Sequence, residues 1–101
     1  MKVDSYESII VSRDMGFSHN EFFRAFAPLA REWCCDVHNL GVDVRYDGGR
    51  VSIRLGPEGE RRIASIRLPR TCVTFEFINL SEQQRECFFN RFDLAFRRGG
   101  G

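Results

Sequence analysis

The sequence predicts an α+β fold: a two-layer β-α-β-β-β-β-α chain whose curved antiparallel sheet carries both helices on one face. Three observations point there. Two segments place Phe at helical spacing behind a capping box, and the stretch between them alternates apolar and polar residues in short runs. Those runs are separated by turns too short for anything but antiparallel pairing. With 101 residues the chain suits one core. Residues 1–98 are expected to form a single domain, and residues 99–101 a disordered glycine tail.

The first strand is expected near Tyr6 to Ser12, centred on Ile9, Ile10 and Val11. Ser18-His19-Asn20-Glu21 then opens the first helix as a capping box, with Phe17 before the cap and Phe22 inside it as a hydrophobic staple. Phe22, Phe23, Phe26, Leu29, Ala30 and Trp33 continue at helical spacing. Pro28 removes a backbone donor and clashes with the Arg24 carbonyl, which predicts a stop or kink near Ala27 and a second short helix from Pro28.

Between the helices Asp47-Gly48-Gly49 supplies the positive dihedral angles of a tight hairpin. Gly56-Pro57-Glu58-Gly59 reads as a longer loop, and Pro69 as a break. The strands expected from this punctuation are 42–46, 50–55, 61–68 and 71–78. The last helix begins at Ser81 with the capping box Ser81-Glu82-Gln83-Gln84 and carries Phe88, Phe89, Phe92, Ala95 and Phe96. Arg97 and Arg98 sit at its carbonyl end, where cations complement the helix dipole. This element order resembles the TATA-binding-protein-like arrangement across most of the chain. The resemblance rests on element order alone and implies a fold, not an activity.

Charge is close to balanced overall, at +1, but uneven along the chain. Residues 1–43 carry four basic and seven acidic side chains, whereas residues 44–101 carry eleven and seven. Fourteen of the fifteen basic residues are Arg, a usage that GC-rich coding in a bacterial-type genome produces without functional meaning. Position is more informative than number. Val51, Ile53 and Leu55, then Ala64, Ile66 and Leu68, then Val73, Phe75 and Phe77 are expected to face the helices. The opposite face then displays Asp43, Arg45, Arg50, Ser52, Arg54, Ile63, Ser65, Arg67, Cys72, Thr74 and Glu76.

On this reading Arg45, Arg54, Arg67 and Glu76 form a transverse row. Such a face is commonly a solvated surface with cross-strand ion pairs. Its functional use is an anion site, with Arg45, Arg54 and Arg67 supplying charge and Ser65, Thr74 and Glu76 orientation. The expected function is therefore a small non-enzymatic binding domain whose open sheet face takes a protein partner or a small anionic ligand. Nucleic-acid binding on the same face is the second reading. It is not favoured, because that face has no stacking aromatics and the net charge is small. A homodimeric assembly or accessory protein is the third, since Phe23, Trp33 and Phe89 lie at the edges of their helical stripes and are candidates for exposure. The chain is expected to be a monomer or weak homodimer.

Other chemistry is poorly represented. His19 and His38 lack a neighbouring nucleophile motif, and no Gly-rich loop opens a helix, so no catalytic residue is assigned. Cys34, Cys35, Cys72 and Cys87 have no zinc spacing. They are read as buried or half-buried thiols rather than as metal ligands with His38, and no cofactor is expected. The sequence contains no stretch near the roughly 20 apolar residues a membrane span needs, and its first 15 residues lack a signal-peptide pattern. A cytoplasmic location without membrane association is the corresponding expectation.

Overall fold

A computed structural model describes residues 8–99, with side chains up to Arg97. The element order is the one the sequence predicts. It runs β1 (Ser8–Met15), α1 (His19–Glu32), β2 (Cys34–His38), β3 (Gly41–Tyr46), β4 (Gly49–Ile63), β5 (Ile66–Ile78) and α2 (Glu82–Gly99). The five strands form one sheet in the order β1-β5-β4-β3-β2, and every pairing is antiparallel. Residues 1–7 and 100–101 lie outside the described residues, and with them the expected start of the first strand at Tyr6 and the last two residues of the expected glycine tail, whose first residue, Gly99, belongs to α2.

The same order arises from partly different residues. The expected separate strand at 61–68 does not exist: β4 runs unbroken from Gly49 to Ile63 and turns back at Ala64-Ser65 into β5. Gly56-Pro57 is a bulge, marked by a register shift between Leu55 and Glu58. Pro57 is tolerated there because a bulge frees it from donating to the ladder. Pro69 likewise interrupts nothing, since β1 covers β5 only from Thr71 onward and leaves that edge open. The missing strand is supplied by β2, a segment expected to follow the helix as loop.

α1 continues through Pro28 to Glu32. Pro28 and Arg24 both face solvent, where water can satisfy the carbonyl that lost its donor. Both capping boxes form. Ser18 N donates to Glu21 Oε1 at 2.9 Å and Glu21 N to Ser18 Oγ at 3.1 Å. At α2 the Ser81 and Gln84 pair does the same at 2.7 and 3.2 Å. No helix is long and apolar enough to cross a membrane among the described residues.

Both helices lie on one face of the sheet. Their Phe stripes meet Val42, Val44, Val51, Ile53, Leu55, Val73, Phe75 and Phe77 in a core where Phe22, Phe75, Phe77, Phe88 and Phe92 are fully buried. Phe88 is central: Trp33, Tyr46, Phe75, Phe77, Phe89 and Phe92 all place ring centroids within 6.3 Å of it. Phe23, Trp33 and Phe89 are therefore partly buried against this core, not spare aromatics on the surface. Arg13 closes its edge, bonding Asp93 of α2 at 2.6 Å while its guanidinium lies 3.9 Å from the Phe89 ring centre. The β4–β5 hairpin extends past this body, giving the molecule extents of 58 × 24 × 23 Å.

Candidate functional site

The sheet face away from the helices is open, and strand register arranges its side chains in rows. Directly opposite residues of an antiparallel pair share a face. The first row is therefore Cys34, Arg45, Arg50, Ile78 and Ser8. The second is Asp36, Asp43, Ser52, Glu76 and Ile10, and the third His38, Gly41, Arg54, Thr74 and Ser12. A row containing two arginines thus lies beside a row containing three carboxylates.

The third row is neutralised by Asp43 of the second. Arg54 Nη1 reaches back to Asp43 Oδ1 at 3.2 Å and to the Ile53 carbonyl at 3.1 Å. His38 Nε2 meets Asp43 Oδ2 at 2.8 Å, and Ser52 Oγ donates to Asp43 Oδ1 at 3.1 Å. Burial raises the Asp43 carboxyl, but the hydrogen bonds from His38, Arg54 and Ser52 outweigh it and hold the pKa below the ordinary aspartate range. Gly41 makes this cluster possible: a Cβ there would stand 2.2 Å from the Ile53 carbonyl and 3.2 Å from Arg54 Nη1.

The first row is different. Arg45 and Arg50 are directly opposed across β3 and β4, both exposed. Among the described residues neither has a carboxylate within 4 Å, whereas Arg13, Arg54, Arg70 and Arg91 each do. The Asp47-Gly48 turn brings them to one end of the sheet, with φ of 51° and 85°. An open cleft of about 670 Å³ lies over them, lined also by Ser8, Gly48, Gly49, Glu76, Ile78 and Asn79. Across the two arginines a second depression of about 180 Å³ reaches Cys34, Cys35, Asp36 and Asp43.

The residues singled out from sequence are thus dispersed. Arg45 and Glu76 line the larger cleft, and Glu76 accepts a 2.7 Å bond from Ser8 Oγ. Arg54 and Thr74 oppose each other two rows away. Arg67 and Ser65 are not on the body at all. Arg67 opposes Arg62 near the hairpin tip and Ser65 belongs to its turn, so the expected row Arg45–Arg54–Arg67–Glu76 does not form. Ile63, Ile66 and Leu68 accompany them there, 52%, 57% and 42% exposed. Arg50 is the residue that sequence reasoning undervalued. The two-residue turn Asp47-Gly48 pairs Tyr46 with Gly49 and so sets Arg50, two residues past the turn, opposite Arg45.

The cysteines depart from expectation too. Cys34, Cys72 and Cys87 are exposed and only Cys35 is half-buried. Burial, then the neighbouring Cys34 and Asp36, push the Cys35 thiol up to about 11, which keeps it protonated at neutral pH. Among the described residues no group of three His, Cys, Asp or Glu side chains is arranged to hold a metal ion. Compared with protein-family models, curated proteins and solved structures, the chain has no match.

Proposed function

We propose that this protein is a binding domain that captures an anionic group on its open sheet face, between Arg45 and Arg50. The observation that carries the reading is the opposed pair itself, with no carboxylate within 4 Å among the described residues. Like charges directly across an antiparallel pair destabilise a sheet. A bound phosphate or carboxylate removes that repulsion and accepts from both guanidinium forks. The cleft of about 670 Å³ above the pair has room for a small ligand or for an acidic side chain of a protein partner. Ser8, Glu76 and Asn79 supply orienting polar groups around it. Four cysteines without disulfide partners suit a reducing compartment, so the reading extends to a cytoplasmic ligand.

The test is an amide chemical-shift titration of the labelled protein with phosphate- and carboxylate-bearing compounds. Saturable shifts centred on Arg45, Gly49 and Arg50 are expected, and Arg45→Glu with Arg50→Glu should abolish them. Shifts that cluster at Arg54 and Thr74 instead, or none at millimolar ligand, would sink the proposal.

A further inference from the structure

We infer that the free end of the β4–β5 hairpin, residues 58–71, is a DNA-binding arm that enters the groove of a duplex. The arm is six paired residues long on each strand, from Glu58 opposite Thr71 to Ile63 opposite Ile66. At about 3.3 Å per residue that is a ribbon of roughly 20 Å. Every residue from Glu58 to Leu68 is exposed, and apart from Glu58, which accepts from the His19 amide, no hydrogen bond or ion pair ties those side chains to the body among the described residues.

Their chemistry is that of a polyanion reader. The arm holds Arg61, Arg62, Arg67 and Arg70 against Glu58 and Glu60. Glu58 is occupied by the His19 amide at 2.9 Å, and Arg70 by Asp14 at 2.8 Å. Three arginines then face one carboxylate. Arg62 and Arg67 are directly opposed, a second like-charge pair without a carboxylate within 4 Å among the described residues.

Geometry selects the occupant. Register puts Arg61 on one face of the ribbon and Arg62 and Arg67 on the other, while Arg70, at the root of the first face, stays with Asp14. A flat anionic bilayer can engage one face only, whereas a groove has phosphate walls on two sides. The major groove of B-form DNA, about 12 Å wide and 8.5 Å deep, admits a two-stranded ribbon. The opposed Arg62–Arg67 pair also disfavours docking onto a second copy of the same arm through that face. Ile63 and Ile66, exposed beside the tip, meet the groove floor, where apolar side chains contact thymine methyls. Small overall charge does not weigh against this, because the cations are concentrated where the duplex would sit.

Fluorescence anisotropy of a labelled duplex DNA, titrated with the full chain between about 50 and 200 mM salt, tests the arm. The wild-type chain is expected to bind at the lower salt and weaken steeply as salt rises. Arg62→Glu with Arg67→Glu should weaken binding about tenfold or more and flatten the log–log salt slope by about 2, from two lost phosphate contacts. Arg24→Glu with Arg31→Glu, the same change of charge on the exposed side of α1, should leave arm binding in place. The inference is overturned if no duplex binds at low salt, if the arm variant binds like wild type, or if anionic vesicles bind and DNA does not.

Discussion

β4 and β5 pass through two environments. From Gly49 to Leu55, β4 buries Val51, Ile53 and Leu55 under the helices and turns Arg50, Ser52 and Arg54 to solvent. Beyond the bulge, from Glu58 to Ile63, every residue is exposed, and both faces of the ribbon carry charge. Alternation therefore has a different meaning in the two halves. In the body it separates a dry face from a wet one, and the dry face supplies the stability. From Glu58 to Leu68 no arm residue is buried, so ladder hydrogen bonds and tethering at the root through Glu58, Arg70 and Thr71 hold the ribbon, and the side chains nearer the tip are free for an external partner.

The largest expected difference follows from burial. Phe88→Ala removes a fully buried ring touching six other aromatics, and such truncations destabilise by about 3–5 kcal/mol. Ile66→Ala, at 57% exposure in the arm, should stay within about 0.5 kcal/mol of wild type. Urea denaturation of both variants sets the contrast. Comparable losses would mean that the arm is part of the core's cooperative unit.

Thr71 sits where the arm leaves the body, 1% exposed, with Oγ1 donating to the Phe17 carbonyl at 2.8 Å. Thr71→Val keeps the shape but strands that acceptor, a change of about 1–3 kcal/mol. The loss should appear in the denaturation midpoint while DNA affinity of the folded protein is unchanged. An unchanged midpoint would show that the root of the arm contributes nothing to the body.

Much of the body was legible beforehand. The capping boxes at Ser18 and Ser81 and the Phe spacing behind them located both helices, and Asp47-Gly48 located one hairpin. The arm was not, for a physical reason. Its turn uses Ala64, with φ of 54°, and Ser65, neither of which announces a positive dihedral angle. Gly56-Pro57 and Pro69, the usual signs of a break, sit instead at a bulge and on an open edge. Reading them as strand ends moved Arg67 and Ser65 onto the sheet face beside Arg45. β2 was missed because Cys34, Asp36 and His38 alternate with Cys35 and Val37 too briefly to compete with the helix before them.

Acid should weaken the body through its ion pairs. The Arg70 hydrogen bond depresses Asp14, the Arg91 hydrogen bond depresses Glu32, and Asp43 is depressed despite its burial. A carboxyl lowered by folding contributes stability that is present above its unfolded pKa and is lost as pH falls through the folded value. Thermal midpoints are therefore expected to be flat above about pH 5 and to fall below it. Asp43→Asn should make the fall shallower. Of the three carboxylates only Asp43 lies within the open-face rows next to Arg45 and Arg50, so an unaltered profile would remove its cluster from the account of that face.

The smallest effect discriminates best between the two regions, because each contains one opposed arginine pair. Arg50→Glu in the body replaces repulsion across from Arg45 by attraction, and Arg62→Glu does the same across from Arg67 in the arm. Each should stabilise by roughly 0.2–1 kcal/mol, the range for cross-strand charge pairs. Each should also remove a binding activity: the cleft's anion-dependent shifts in the first case, DNA affinity in the second. Greater stability with lost binding is the signature of residues kept for a ligand, since structure alone gains by exchanging them. If Arg50→Glu instead lowers the denaturation midpoint, Arg50 has a structural partner and the cleft is an ordinary solvated surface. Loss of cleft shifts in Arg62→Glu, or of DNA affinity in Arg50→Glu, would join the two regions into one extended site.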